Sequence, residues 1–148
     1  MNTLEISKCL KAIHPTLTSN VFAANRLPVH MSTPVYLISN LDPDTKPGSH
    51  WIAIYIGTNG IGEYFDTFGR KPNSYHLSFL KRNTSRWIYS NKIIQNVFSS
   101  FCGEYCLVYI YLKRRGMSLT NFVEMFNQDT NNNNDLLLND MFKSFIIF

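Results

Sequence analysis

The segment Gln-Asn-Val-Phe-Ser-Ser-Phe-Cys-Gly-Glu-Tyr-Cys spans residues 95–106 and runs into the apolar segment Leu-Val-Tyr-Ile-Tyr-Leu, residues 107–112. This pattern predicts an irregular run that gives way to a helix at Cys102. The first turn of a helix carries unpaired N–H groups and the positive end of the helix dipole, so a thiolate at Cys102 is favoured. Gln95, seven residues upstream, offers a neutral side-chain donor for a developing oxyanion. The segment therefore predicts a cysteine nucleophile.

The helix that begins at Cys102 is predicted to continue to about residue 115. It ends in Lys-Arg-Arg-Gly, residues 113–116, which places basic charges in the last turn and a glycine after it. Its apolar residues lie all the way round the helix, and such a helix is normally buried on every side. We therefore expect it to be the central helix of the domain.

Three predicted strands precede this helix, at residues 34–40, 51–56 and 63–66, and turn-forming residues separate them. They favour an antiparallel meander in which His50 begins one strand and Asp66 ends its neighbour. Residues in those two positions lie near each other across an antiparallel ladder. His50 is therefore a candidate general base, and Asp66 is a candidate for the carboxylate that orients it.

The rest of the chain is predicted to form flanking elements. Thr3 can cap a first helix that stops at Pro15, and residues 16–33 have the pattern of an irregular connection. The later elements, in chain order, are a helix at 73–83, strand pieces at 86–89 and 92–95, a helix from Ser118 to about Asn127, a polar linker at 131–134 and a last helix from Asp135.

The 148 residues fit one compact domain, residues 1–148, with 45% hydrophobic and 14% aromatic residues. The net charge of +4 is too diffuse to indicate more than weak attraction to nucleic acid. The sparse, odd set of cysteines (Cys9, Cys102 and Cys106) and the absence of a signal peptide predict an intracellular protein that is not secreted. No apolar run approaches the length of a membrane span, and no histidine or cysteine pair has metal-ligand spacing. Cys9 and Cys106 are best interpreted as packing residues.

Along the chain follow, in this order, Gly48-Ser-His-Trp51, Phe65-Asp-Thr-Phe-Gly69, Gln95 and Cys102-Gly103. In residue type and order they resemble the motifs of adenovirus-type (adenain-like) cysteine proteases. SUMO-specific proteases share the same order of His, Asp, Gln and Cys. Asn40, ten residues before His50, is also similar to the adenovirus-type group, which includes proteases of viruses and of virus-like DNA transposons.

The resemblance implies an α+β, papain-like fold in circularly permuted order, with a mostly antiparallel sheet packed on the helix that bears the nucleophile. It implies that Cys102 is the nucleophile, His50 the base and Asp66 the orienting acid. Gln95 and the Cys102 backbone N–H would form the oxyanion hole. Asn40, Trp51 and Gly103 would then line the substrate cleft.

The function implied is a monomeric thiol endopeptidase that cleaves polypeptides at glycine-containing sites and matures virion or virus-like precursor proteins. The implied setting is the virion, nucleus or cytoplasm. No cofactor is required, although an activating peptide or DNA is compatible with the family. Three alternatives stay open: an isopeptidase for a ubiquitin-like modifier, a non-catalytic binding module on the same fold, and a basic nucleic-acid-binding structural protein.

Overall fold

The computed structural model describes residues 1–127 and 132–146. The described residues form an α+β fold, with short 3-10 turns on either side of β1. The helices and strands, in chain order, are α1 (Thr3–Ile13), β1 (Val21–Phe22), β2 (Val35–Asn40), β3 (Trp51–Ile56), β4 (Ile61–Phe65), α2 (Ser74–Asn83), β5 (Arg86–Tyr89), α3 (Cys102–Lys113), α4 (Leu119–Glu124) and α5 (Asn132–Phe145).

The strands form one sheet in the order β1-β2-β3-β4-β5. The central strands β2, β3 and β4 pair antiparallel, which confirms the predicted meander. Both edge strands pair parallel to their neighbours, β1 to β2 and β5 to β4. The sheet is therefore mixed, and the prediction of a mostly antiparallel sheet was too simple. Parallel pairs require a crossover connection, and α2 lies in the one between β4 and β5.

Strand β3 divides its side chains between two apolar layers. Trp51 and Ala53 belong to the layer built on α3, whereas Ile52 and Ile54 belong to the layer built on α2. Successive side chains of a strand point to opposite faces, so one uninterrupted apolar strand serves both cores. The small Ala53 side chain lies on the face of the sheet against which α3 packs.

Helix α3 is the centre of the larger layer, as predicted. Each residue from Cys102 to Ile110 is buried. Helices α1, α4 and α5 contact α3 along with the sheet. A helix that is apolar all round has to be covered on every side, so these helices complete the burial that the sheet begins.

Two predicted helix starts were wrong. The N-cap of α1 is Asn2 rather than Thr3, because the Asn2 side chain accepts a hydrogen bond from the Glu5 backbone N–H while the Glu5 carboxylate accepts one from the Asn2 backbone N–H. Helix α5 begins at Asn132, three residues before the predicted start at Asp135. Asparagine is a poor helix former, but Asn134 makes hydrogen bonds outside the helix that offset this preference. Asn131 of the predicted linker lies outside the described residues.

The remaining differences concern irregular segments. Residues 92–95 are not a strand, since they form no ladder and Ile94 instead donates its N–H to the Thr67 carbonyl at 2.9 Å. Helix α4 ends at Glu124, before the predicted end near Asn127. The connection at 16–33 contains the short strand β1. None of the helices described is both long enough and apolar enough to cross a membrane.

We predict that Gly69→Ala destabilises the protein more than Gly116→Ala. Both glycines have positive φ, 69° and 95°, and nothing lies within 4 Å of a Cβ at Gly116. Gly116→Ala should therefore cost only the left-handed backbone penalty, about 1–2 kcal/mol. A Cβ at Gly69 would lie 2.5 Å from the Asn91 carbonyl oxygen, so Gly69→Ala should cost about 1–3 kcal/mol more. Urea unfolding measures both, and equal free energies of unfolding for the two variants would contradict the prediction.

Candidate active site

His50 and Asp66 meet at one edge of the sheet. His50 immediately precedes β3 and Asp66 immediately follows β4, and the antiparallel register pairs Ala53 with Phe65. His50 Nε2 lies 2.8 Å from Asp66 Oδ1, with both side chains buried. The carboxylate also accepts hydrogen bonds from the Phe68 backbone N–H at 2.9 Å and from Arg70 Nε at 3.2 Å. Asp66 is thus fixed in orientation, and it fixes the His50 ring in turn.

Cys102 is the first residue of α3 and lies against His50. The His50 side chain and the Trp51 backbone N–H both act on its thiol to favour the thiolate, and the three residues line one cleft. The preceding residue, Phe101, has no side chain that could cap the helix. The N–H groups of the first turn therefore remain beside the sulfur, where they favour a thiolate. The structure brings His50, Asp66 and Cys102 together as one connected array.

The pKa values of Cys102, His50 and Asp66 are set by burial, which disfavours charge, and by contacts with one another, which favour it. Burial disfavours the Cys102 thiolate, but the contacts with His50 and the Trp51 N–H outweigh it and lower the pKa of the thiol. Burial also disfavours the His50 imidazolium, yet the contacts with Asp66 and Cys102 raise its pKa to about 9. For Asp66, burial is outweighed by the hydrogen bond and charge of His50, so its pKa is lowered. All three shifts favour a thiolate–imidazolium pair beside an ionised carboxylate.

Gln95 is buried and lines the same cleft as Cys102. Its Oε1 accepts a hydrogen bond from Thr67 Oγ1 at 2.6 Å. Its Nε2 donates to the Ser99 carbonyl at 3.0 Å and lies 3.1 Å from Ser99 Oγ. Because Thr67 holds the oxygen, the amide is oriented with its nitrogen toward residue 99 in the loop that leads to Cys102.

The cleft has a volume of about 680 Å³ and runs between the loop at 42–49, the first residues of the chain and the loop before α3. Its lining includes the predicted residues Asn40, His50, Trp51, Gln95 and Cys102. An open cleft of this size, with a nucleophile at its base, can accept an extended polypeptide.

Asn40 and Trp51 shape the cleft through their polar atoms. Asn40 Oδ1 accepts hydrogen bonds from the backbone N–H groups of Asp42 at 2.9 Å and Ser49 at 3.3 Å, so it closes the loop that leads into His50. Trp51 Nε1 donates to the Met1 carbonyl at 2.9 Å. Gly103 packs against Met1, and in the structure Met1 rather than Gly103 lines the cleft.

Sequence reasoning missed three supporting contacts. The Phe68 ring stacks on His50 with ring centroids 4.7 Å apart. Arg70 forms an ion pair with Asp66, and Thr67 holds the oxygen of Gln95. Thr67 and Phe68 belong to the Phe-Asp-Thr-Phe-Gly motif and Arg70 directly follows it, so the motif marked this segment as important. Its pattern did not show which side chain each residue would contact.

The other two cysteines have the properties of packing residues. Burial, with the nearby Glu104 and Glu5 charges, raises the pKa of Cys9 to about 11. Burial also raises the pKa of Cys106. Within residues 1–127 and 132–146, no group of three or more histidine, cysteine or acidic side chains is placed to hold a metal ion.

A histidine, a carboxylate and a cysteine that converge at the start of a buried helix are the parts of a cysteine protease site. In sequence, the chain is similar to a viral enzyme of this class. That relative is the cysteine protease of African swine fever virus, 27% identical over 106 residues that cover 64% of this chain and 39% of the relative. The comparison with family models found no match.

The fold is also similar to that of a solved protease. The crystal structure of the African swine fever virus protease, in its selenomethionine form, matches with a TM-score of 0.57 and 24% identity over 76% of this chain and 44% of that one. The structural match shows a shared fold. The chain spans less than half the length of the viral protease in each of these two comparisons.

We predict that a dilute thiol reagent alkylates Cys102 rapidly near neutral pH, while Cys9 and Cys106 react slowly. The pKa of Cys102 is lowered and its thiol faces the cleft, whereas the other two thiols are buried with raised pKa values. Mass spectrometry of iodoacetamide-treated protein measures each site, and urea-unfolded protein is the control in which all three react. Equal labelling in the folded state would contradict the assignment.

We also predict that Asp66→Asn lowers the pKa of His50 from about 9, because an amide carries no charge to stabilise the imidazolium. At a pH below its pKa, His50 is a charged imidazolium and stabilises the Cys102 thiolate. In the wild type, rapid alkylation of Cys102 should therefore extend down to mildly acidic pH. In Asp66→Asn the alkylation rate should rise only at higher pH. Arg70→Gln is the comparison variant: it removes a positive charge beside Asp66 but leaves the carboxylate on His50, so it should not move the alkylation profile to higher pH. Superimposable pH profiles of Asp66→Asn and wild type would show that Asp66 does not set the charge of His50.

Proposed function

We propose that the protein is a cysteine endopeptidase. The observation that carries the proposal is the connected array of Asp66, His50 and Cys102 at the base of an open cleft. The sequence similarity to a viral cysteine protease supports the same class. All members of the array are present, which argues against a non-catalytic module that keeps only the fold.

The reaction begins with the Cys102 thiolate, which attacks the carbonyl carbon of a peptide bond held in the cleft. His50 Nε2 is bound to Asp66, so Nδ1 is the ring nitrogen that serves Cys102. The imidazolium gives its proton to the leaving amine, and the thioester forms. His50 then takes a proton from water, which hydrolyses the thioester and restores the thiolate.

The oxyanion of the tetrahedral intermediate is bound by Gln95 Nε2 and the Cys102 backbone N–H. Gln95 Nε2 donates to Ser99, which lines the same cleft as Cys102, and the substrate oxygen takes the place of the Ser99 acceptors. Loss of one such donor typically costs about 10²–10³ in kcat. Gln95 therefore acts on the rate of the chemical step rather than on substrate binding.

The substrates that we propose are precursor proteins of a virion or a virus-like element, cleaved at glycine-containing sites. The buried Trp51 and the Phe68 ring on His50 bound the cleft beside the array, and a small residue at the cleavage site passes between such walls. A papain-like arrangement in circularly permuted order, with His50 before Cys102, is part of the same proposal. The enzyme is proposed to act as a monomer inside the cell or virion, with no required cofactor.

The test is cleavage of a peptide library in which glycine is fixed at one or both positions beside the cleaved bond. We expect wild type and Cys9→Ala to cleave a subset of these peptides, and Cys102→Ala to cleave none. Mass spectrometry identifies the cleavage products and detects the thioester on Cys102 after rapid acid quenching. Absence of cleavage and of thioester across the library would overturn the endopeptidase proposal. Release of a di-glycine-tailed modifier from a lysine conjugate, without peptide cleavage, would assign an isopeptidase instead.

A further inference from the structure

Gln95 lies on an irregular segment that belongs to no strand or helix. On one side, Thr67 binds it, because the Thr67 carbonyl accepts the N–H groups of Ile94 at 2.9 Å and Gln95 at 3.5 Å. The Thr67 hydroxyl also donates to the Gln95 side chain. Contacts with one residue on one side leave the segment free to move away from Thr67 unless its other side is also bound.

The first turns of α5 bind the other side of this segment. Asn134 Nδ2 donates to the Ile94 carbonyl at 2.9 Å. Asp135 Oδ1 accepts the Asn96 backbone N–H at 3.4 Å. The residues immediately before and after Gln95 are therefore both bound to α5 through their backbones.

Tyr105, on α3, joins this network. Its hydroxyl donates to Asp135 Oδ1 at 2.7 Å and lies 3.3 Å from the Ile94 carbonyl oxygen. The carboxylate of Asp135 is thus held on the nucleophile-bearing helix, one turn from Cys102. The segment of Gln95 and the helix of Cys102 are connected through one side chain of α5.

These polar side chains are placed where burial is costly. Asn134 is 2% exposed, Asp135 is 5% exposed and Tyr105 is fully buried. A buried carboxylate or amide destabilises a protein unless partners satisfy it. Apolar packing of α5 on α3 is already supplied by residues such as Leu138. Packing alone does not require polar groups here, whereas holding a backbone segment does.

Asn134 is itself fixed on its far side. Its Oδ1 accepts the Asn127 N–H at 2.9 Å, and its Nδ2 donates to the Asn127 carbonyl at 2.6 Å. Asn134 therefore bridges the chain after α4 to the segment before α3, and its amide has a single fixed orientation.

We propose that Asn134 and Asp135 are positioning residues that hold Gln95 at the place where its amide binds the oxyanion. The proposal rests on the proposed function, because it assigns α5 a part in that reaction. A displacement of about 1 Å in a catalytic group can cost about 10²-fold in rate. Loosening the segment should therefore lower kcat and leave the thiolate of Cys102 and substrate binding little changed.

The variants are Asp135→Ala, Asp135→Asn and Asn134→Ala. Asp135→Asn keeps an oxygen that can accept from Asn96 and Tyr105, so it should retain most of the activity that Asp135→Ala loses. The matched control is Asn83→Ala. Asn83, at the end of α2, also binds an irregular backbone segment, through the Met31 N–H and the Val29 carbonyl, and none of these residues lines the cleft.

The measurements are kcat, KM, the iodoacetamide rate at Cys102 and affinity for a peptide aldehyde, whose hemithioacetal oxygen occupies the oxyanion site. Asp135→Ala and Asn134→Ala should lower kcat and aldehyde affinity about 10- to 100-fold. KM and the iodoacetamide rate should stay within about twofold, since neither depends on the oxyanion donor. Asn83→Ala should change none of these four quantities, whatever its effect on stability.

Hydrogen exchange followed by mass spectrometry gives a readout that does not need activity. The proposal is supported if Asp135→Ala and Asn134→Ala exchange faster than the wild type in peptides covering residues 94–100 and exchange at the wild-type rate in β3 and β4. Unchanged exchange at 94–100, or equal losses of kcat and iodoacetamide rate, would overturn it. If the wild type neither cleaves peptides nor binds aldehydes, the proposed function fails, and the exchange measurement still decides whether α5 holds the Gln95 segment.

Discussion

The burial of α3 is the constraint on which the rest of the structure depends. A helix with no polar face must be enclosed, so the sheet covers one side of it while α1, α4 and α5 cover the others. Its first residue emerges at the edge of the sheet where β3 begins and β4 ends. Cys102 consequently meets His50 and Asp66, although the three residues are far apart along the chain.

The site is a compromise between burial and charge. Burial opposes ionisation of Cys102, His50 and Asp66 alike, and each would be neutral if it were isolated at that depth. Instead, the His50 imidazolium stabilises both the Cys102 thiolate and the Asp66 carboxylate, and the more exposed Arg70 also pairs with Asp66. Removal of the charge from one member therefore changes the ionisation of its neighbours as well as its own.

The sequence was most informative where local periodicity and topology coincide. The apolar run of β3 and the turn before β4 were enough to predict that His50 and Asp66 meet, because a meander with a tight turn allows few other arrangements. The non-periodic segments were predicted poorly. Residues 92–95 have the composition of a strand but are held by Thr67 and by the first turns of α5. Such long-range hydrogen bonds leave no local pattern, so the start of α5 and the surroundings of Gln95 were not predictable from the sequence.

The alternation of side chains along β3 has a consequence for how the gene can change. One inserted or deleted residue between His50 and Ala53 would put the residues on one side of the change on the wrong face of the sheet: either Ala53 and Ile54 would swap apolar layers, or His50 would turn away from Cys102. Such a change would therefore disturb either the core or the active site unless a β-bulge absorbed the extra residue. Changes of length in β3 are therefore expected to be costly, whereas the exposed turn at 58–59 can vary in length at little cost. The pleat of β3 thus fixes the number of residues between His50 and the apolar side chains that follow it, independently of which apolar residues those are.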